Sequence, residues 1–579
     1  MLVPIDQLNF ILSSLAQSTY LQQARLLSPD DHQFLKKRNV IAAIAGAIII
    51  TGKTVQLCVG VRETFPRSLP VIFLSPPDAF GMIPHLDGDG YVCYAQTEGL
   101  LLNAADPVGI LYDSTERAIS VIQAGATGEN RLDFMDELPL YWERVSTKTL
   151  PGFWSVDNVL REVFVYSSNS SYKFIADSIE TVEAYFNGSI RGLNALTRRA
   201  ALYIPLKEGA FAIPPNPEMW TAAMIQQLVE KNLSWENQKR FAKLRKKWKS
   251  KKLVILGLPR PKGGMALAGL DFANVHQGNP VAYGGEQTSP TPIAIHRYDS
   301  DYLLPRGGGR QSLHNVRAVV IGCGSVGGYV VFGLVQAGIR NLALVDPDSL
   351  QRENTYRHVL GMSAENQPKV AALQDELERK YPYLSITAHQ LSIEEALRGK
   401  LVKLCEFDLI VVAVGDPTLE LYLNQVLHKE CQRPTTVFAW VEPYGIGGHA
   451  LLTRSGQPGC IHCLFTDAFD PDTPLYNRSA FAAFGQSFGK DDLGCDTLYT
   501  PFGGLDAQKT AEQAVRLAID GVLLREQRSS LLSWKGYSED FMAAGFQLSS
   551  RYTQTAHQLY ENRYAYINAE CPVCGTEGQ

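Results

Sequence analysis

The chain has 579 residues, 45% hydrophobic and 20% charged, with a formal net charge of −5. That length exceeds one core and predicts three or four domains of ordinary size. The charge balance leaves no electrostatic footprint for nucleic acid, and the longest apolar run, VIAAIAGAIII at 40–50, is too short to span a bilayer.

That run reads instead as a buried helix-to-strand segment. The opening MLVPIDQLNF has no positive cluster ahead of an apolar stretch, so it lacks the pattern of a secretory signal. A cytoplasmic setting is expected, with cysteines either reduced or metal-bound. Residues 1–145 hold helical stretches at both ends, strand-like VQLCVGV and LPVIFLS, and the Pro-rich bend SPPDAFGMIP. Residues 150–300 contain FAIPPNPEM, a helical pattern from Met219 and the basic run KRFAKLRKKWKSKK at 239–252. The basic run reads either as a solvated helix face or as a site for an acidic partner. After LVILGLPRPKGGMALAGL the composition is Gly/Pro-rich through about residue 310, which predicts a linker or strap.

From Val316 strand and helix alternate. VRAVVIG and NLALVD are buried strands around the turn and helix of GCGSVGGYVVFGLVQAG; SITAHQ and DLIVVAVG follow, interleaved with helical QPKVAALQDELERK and TLELYLNQVLHKE. Continuous apolar strands alternating with helices predict a parallel α/β sheet. Gly322, Gly324 and Gly327 form GxGxxG between the first strand and its helix, where backbone N–H groups can approach phosphate. Asp346 closes the second strand and can accept from ribose hydroxyls. Asp348, Asn354, Arg357, Lys369 and Asp416 follow over the same crevice. Two cations and an added carboxylate suit a triphosphate with Mg²⁺ better than a nicotinamide.

The ten cysteines sort by context. Cys460/Cys463 and Cys571/Cys574 are two CxxC pairs, a ligand count suited to structural Zn²⁺. Cys58, Cys323, Cys405 and Cys431 read as core thiols. Cys93 and Cys495 sit in polar, Gly-flanked surroundings, where a thiolate can attack an activated acyl group. Cys495 lies in KDDLGCDTLYTPFGG, whose Pro-Gly turn leads into the helix DAQKTAEQAVRLAI.

On these motifs, residues 296–579 resemble the ThiF/MoeB family, the adenylating fold of ubiquitin-activating enzymes: GxGxxG, then Asp346/Asp348, Asn354/Arg357, Lys369 and Asp416. Pro417 departs from the Asn that many members carry after the aspartate. The resemblance implies a Rossmann-like domain that dimerises, an upstream arginine (Arg297, Arg306 or Arg310) reaching the nucleotide, and the zinc site. The order Cys495, Pro, Gly, helix resembles the homodimeric activating enzymes of the autophagy type, with the catalytic cysteine on a crossover loop. Residues 10–145 resemble a ubiquitin-conjugating enzyme around its active cysteine, here Cys93. The family's His-Pro-Asn is Ile83-Pro84-His85 in this chain, and His85 either donates to the oxyanion or braces the loop.

The expected architecture is therefore a multidomain α/β chain. It has an α+β conjugating-like domain at 1–145, a linker or intermediate domain of uncertain fold at 146–295, and the adenylating domain at 296–579. The order resembles the CD-NTase-associated fusions of bacterial CBASS antiphage operons. That resemblance implies ATP-dependent activation of a protein C-terminal glycine, a thioester on Cys495, transfer to Cys93 and conjugation to a target amine. The implied substrate is a cGAS-like nucleotidyltransferase; no nucleic-acid or membrane partner is expected. Alternatives are a ubiquitin-like protein of another operon, sulfur-carrier activation, or an NAD(P)-dependent oxidoreductase.

Overall fold

The computed structural model describes residues 3–168, 171–188, 193, 196–210, 220–245, 253–272, 289–431, 434–465, 475–490 and 499–575. The chain divides into two compact units: Met1–Gly152 with Val156–Ile175 and Thr197–His296, and Phe153–Ser155 with Ala176–Leu196 and Arg297–Gln579.

The first unit begins with an antiparallel sheet of β1 (Gln22–Leu27), β2 (Ala42–Ile50), β3 (Lys53–Val61) and β4 (Val71–Ser75), in that order. The expected helix-to-strand segment at 40–50 is corrected here: Ala42–Ile50 is entirely strand. Its β-branched isoleucines favour the pleated conformation. Thr51 and Gly52 both have positive φ (48° and 79°) and close a two-residue hairpin that pairs Ile50 with Lys53. One face of the sheet buries Ile44, Ile48 and Leu57 with Leu8 and Leu12 of helix Ile5–Ser13 and Leu111, Ala118 and Ile122 of helix Pro107–Thr127. The latter helix starts on Asp106, whose carboxylate accepts from Gly109 N at 2.8 Å, and ends on left-handed Gly128.

The stretch of uncertain fold is a closed barrel: β5 (Thr149–Phe153), β6 (Arg161–Ser168), β7 (Ser171–Ala176), β8 (Thr197–Pro205), β9 (Leu253–Pro259), β10 (Met265–Asp271) and β11 (Thr291–Arg297), in the order β10-β11-β5-β7-β6-β8-β9. The linker reading of the Gly/Pro-rich stretch through 310 fails at Thr291–Arg297, where Ile293, Ala294 and Ile295 are buried in the barrel wall. Met135, Leu138 and Trp142 of helix Asp133–Val145 enter the barrel core beside Ile204, Leu256 and Phe272. FAIPPNPEM and the end of the basic run lie outside the described residues.

The second unit holds a seven-stranded sheet of β12 (Arg317–Ile321), β13 (Asn341–Val345), β14 (Ser385–His389), β15 (Leu409–Val412), β16 (Thr435–Val441), β17 (Gly447–Arg454) and β18 (Ser530–Lys535). The order is β14-β13-β12-β15-β16-β17-β18. The first five strands are parallel, but β17 and β18 pair antiparallel, so the expected all-parallel sheet is corrected to a mixed one. The physical reason is the short Glu442–Ile446 connection, which leaves no room for a crossover helix and returns the chain antiparallel. Helices Ser325–Ala337 and Gly504–Val522 cover one face, closing on each other at Gly333 and Val515.

Cys58 and Cys323 are buried thiols, as expected. Cys405 and Cys431 are not: they form a disulfide, with Cα atoms 5.0 Å apart. The turn Leu404–Glu406 and the end of helix Pro417–Glu430 bring them together, a proximity invisible in sequence. Among the described residues, no helix is long and apolar enough to cross a membrane.

Candidate active site

The phosphate loop follows β12. Gly322 has φ of 85°, and a Cβ there would stand 2.7 Å from the Ala413 carbonyl; a Cβ at Gly327 would overlap the Gly322 carbonyl oxygen. Both positions therefore require glycine for the loop to close on the helix. Gly324 precedes helix Ser325–Ala337 as its N-cap, so the free N–H groups and positive dipole end face the crevice.

Asp346 is buried at the end of β13, and its carboxylate accepts from Cys323 N (2.6 Å) and Asp348 N (2.9 Å), which clamps the loop. Lys369 is also buried; its ammonium donates to Asp348 at 2.7 Å and lies 3.8 Å from Asp346. Asn354 accepts from Gln351 N at 3.3 Å and caps the turn that presents Arg357. Arg357 stacks over Phe502 at 5.0 Å, its buried Nε has no hydrogen-bond partner among the described residues, and burial lowers its pKa. A half-buried cation with an orphaned donor fits an anion. Asp416 caps helix Pro417–Glu430, accepting from Thr418 N at 2.9 Å and Leu419 N at 3.3 Å. Arg297 is paired with Asp299 at 2.8 Å, and Arg306 stacks on Tyr302 at 4.1 Å.

A cavity of about 340 Å³ opens from Gly324 and Ser325 past Gly415 and Pro417 to Trp440, Phe465, Thr500 and Phe502. Glu420 lines it, 4% exposed, with Oε1 unpartnered among the described residues. Burial pushes its carboxyl up to about 8, so it is mostly a neutral acid at neutral pH. Trp440 stacks on buried His449, whose ring nitrogens meet Glu442 (3.0 Å) and Ser533 (2.8 Å). Sequence reasoning missed Glu420: one glutamate in a mixed helix gives no signal. Cys495 lies outside the described residues, although Thr500 and Phe502, a few positions on, line the cavity.

The sulfurs of Cys460, Cys463, Cys571 and Cys574 all lie within 4.8 Å of one another, with Cys460–Cys571 at 3.7 Å and Cys463–Cys574 at 3.4 Å. Four thiolates at about 2.3 Å from a tetrahedral ion stand roughly 3.8 Å apart, so the cluster fits such a metal. The Cys460 and Cys463 sulfurs lower the pKa of Cys574, against the Cys571 sulfur and burial.

Cys93 is exposed in the first unit, and its N–H donates to the His85 carbonyl at 2.8 Å. His85 has φ of 64°, and both ring nitrogens are engaged: Nε2 with Asp133 at 2.9 Å and Nδ1 with Glu137 at 2.7 Å. Two acceptors need two N–H donors, so His85 is an imidazolium. The Glu137 hydrogen bond raises its pKa, against burial and with help from Asp133. Burial, then the charge of Glu137, raises the pKa of the Cys93 thiol. Asp133, Glu137 and Tyr141 were also missed; their i, i+4 spacing in DFMDELPLYWERV was the available signal.

Residues 298–521 match the ThiF family, and residues 18–151 match prokaryotic E2 family B. The ATP-dependent ubiquitin transferase-like protein Cap2 of Pseudomonas aeruginosa is 25% identical over 479 residues, covering 77% of this chain and 81% of that protein. The molybdopterin-synthase adenylyltransferase of Escherichia coli is 30% identical over 132 residues, 22% of this chain and 52% of that one. Among solved structures, E. coli MccB overlaps 46% of this chain and 67% of its own at a TM-score of 0.33 and 18% identity, a partial overlap only.

Proposed function

Because this chain fuses an E2-like domain to a ThiF-family domain, and is thus an enzyme of the ATP-dependent ubiquitin transferase-like kind, we propose that it activates a protein C-terminus and passes it between two thiols. The carboxylate attacks the α-phosphate of ATP and pyrophosphate leaves. The Cys495 thiolate attacks the acyl-adenylate and AMP leaves. Cys93 then takes the acyl group by thioester exchange and delivers it to a target amine. Gly322, Gly324 and Gly327 with the helix N-terminus bind phosphate, Asp346 positions the loop and ribose, Asn354 orients Arg357, and Arg357 and Lys369 neutralise developing charge. Asp348 and Asp416 would hold Mg²⁺, which offsets phosphate charge when bound. Cys460, Cys463, Cys571 and Cys574 would hold Zn²⁺ as a structural clamp.

The observation that carries this reading is the cavity joining the phosphate loop to Thr500 and Phe502. Cys495 precedes Thr500 by five residues, at most about 17 Å of fully extended chain, which supports its assignment as the thiol that takes the acyl group. Conjugation of a cGAS-like nucleotidyltransferase through its C-terminal glycine in CBASS defence, in the cytoplasm and as a homodimer, completes the proposal.

The test is incubation with ATP, Mg²⁺ and such a nucleotidyltransferase, followed by gels with and without thiol reductant. A reductant-sensitive adduct forms on the parent, persists in Cys93→Ala and is absent in Cys495→Ala. NADH-dependent absorbance changes with no adduct would sink the reading.

A further inference from the structure

A cavity of about 350 Å³ lies between the end of β3 and the start of β4, and no step of the thiol-to-thiol transfer uses it. Arg62, Arg67, Ser68 and Thr97 give its wall a polar side, and among the described residues no carboxylate lines it.

The strand that carries Cys93 runs along this cavity. Val92 N donates to the Ile72 carbonyl at 2.8 Å and Tyr91 bridges Phe73, which sets the strand beside β4. The Tyr94 hydroxyl donates to the Pro70 carbonyl at 2.7 Å and ties it to the start of β4. Tyr91, Tyr94 and Ala95 flank Cys93 in the chain and all line the cavity, so the exposed thiol stands at its edge. Burial raises the pKa of the Tyr91 phenol, the charge of Cys93 adds to the rise, and Arg38 and Arg62 oppose it. The ring therefore lies in the field of the thiol and of both guanidiniums.

Two of the nearby cations have charge to spare. Arg38 stacks on Tyr91 at 4.2 Å and is already paired with Asp87 at 2.7 Å. Arg62 is half-buried and donates from Nε to the Arg38 carbonyl at 3.0 Å, with no carboxylate partner among the described residues. Arg67 is exposed, and its side chain forms no ion pair or hydrogen bond among the described residues. Planar guanidinium forks match the oxygens of phosphate and carboxylate. The acyl chain does not supply such an anion, because its terminal carboxylate loses its charge when the thioester forms. The other reactant at Cys93 is the acceptor amine.

We propose that this cavity is an anion site for the acceptor, so that the conjugating centre takes a primary amine bearing a phosphate or carboxylate group. The proposal rests on the reading of Cys93 as a thioester carrier. An anion held by Arg62 and Arg67 brings its amine to the thioester carbonyl and lowers the entropy cost of attack. The ammonium gives one proton to water, and the amine nitrogen attacks the carbonyl. The C–N bond forms, the C–Sγ bond breaks, and a second nitrogen proton ends on Cys93 Sγ.

The experiment uses the full chain carrying Cys495→Ala. Cys93 is loaded from a glycine-terminated peptide thioester of N-acetylcysteamine, and mass spectrometry confirms the loaded site. Discharge is timed with two matched pairs at equal, subsaturating concentration: O-phosphoethanolamine against ethanolamine, and blocked Lys-Asp against blocked Lys-Asn dipeptide. The first pair tests a small phosphate ester as the source of the anion, the second an acidic side chain of a protein acceptor. Arg62→Gln should lower the anionic-to-neutral rate ratio about tenfold in at least one pair, the scale of one hydrogen bond to a charged group. Comparing variant with parent cancels differences in amine basicity. Arg67→Gln, which removes no contact within the fold, should lower the ratio in the same pair, and Arg62→Lys should keep part of it. Ratios that neither glutamine variant changes, in protein loaded at Cys93, overturn this inference alone. Failure of the parent to load at Cys93 overturns the reading beneath it as well.

Discussion

Replacing Glu420 by glutamine should stabilise the ThiF-family domain, and increasingly so as the pH rises. The carboxyl is 4% exposed, its Oε1 has no partner among the described residues, and burial lifts its pKa from 4.5 to about 8. The proton is held more tightly in the folded state, so the stability contributed by the neutral acid is full below about pH 4.5 and is lost as pH rises through 8. At 1.36 kcal/mol per unit, the penalty grows by roughly 3 kcal/mol between about pH 5 and pH 8. Glutamine is neutral throughout and keeps an oxygen to accept from the Gly415 backbone, so it escapes that growth. Hydrogen exchange of the amides in helix Pro417–Glu430 reports opening of this domain alone. After correction for intrinsic exchange, the variant-to-parent ratio of protection should rise on the order of 100-fold from about pH 5 to pH 8. A ratio flat with pH would show that Glu420 does not sit as a raised, buried acid, and would refute the reasoning.

Gly327→Ala should cost at least about 100-fold in ATP affinity, because its Cβ overlaps the Gly322 carbonyl; Gly324→Ala, whose Cβ meets open space, should fold within about 0.5 kcal/mol of the parent. Isothermal titration with ATP and thermal melts separate the two. Treatment with a thiol-blocking mercurial should release about one Zn²⁺ per chain, measured with a chromogenic chelator, and Cys463→Ser should release none and melt several degrees lower. Alkylation of the unfolded, unreduced chain should leave Cys405 and Cys431 unmodified until reductant is added, with peptide mass spectrometry as the readout; modification of either without reductant would contradict the bond.

The parts legible in the sequence are those whose physics is local. GxGxxG demands a tight turn whatever surrounds it, apolar runs such as VRAVVIG declare buried strands by their continuity, and paired CxxC motifs count ligands. Clusters assembled across the fold were not legible. His85 could be named as the odd residue near Cys93, but its partners Asp133 and Glu137 lie 48 and 52 positions away and meet it only because barrel packing orients their helix. Glu420 became a neutral acid only through burial, which one glutamate in a mixed helix does not announce. The Cys405–Cys431 pairing and the antiparallel return of β17 likewise depend on where chain ends meet in space. Sequence by itself determined the chemistry each short motif can perform, since backbone geometry and side-chain type act over a few residues. Only the tertiary structure decided which charges face one another, because desolvation and Coulomb energy depend on distance through space rather than along the chain.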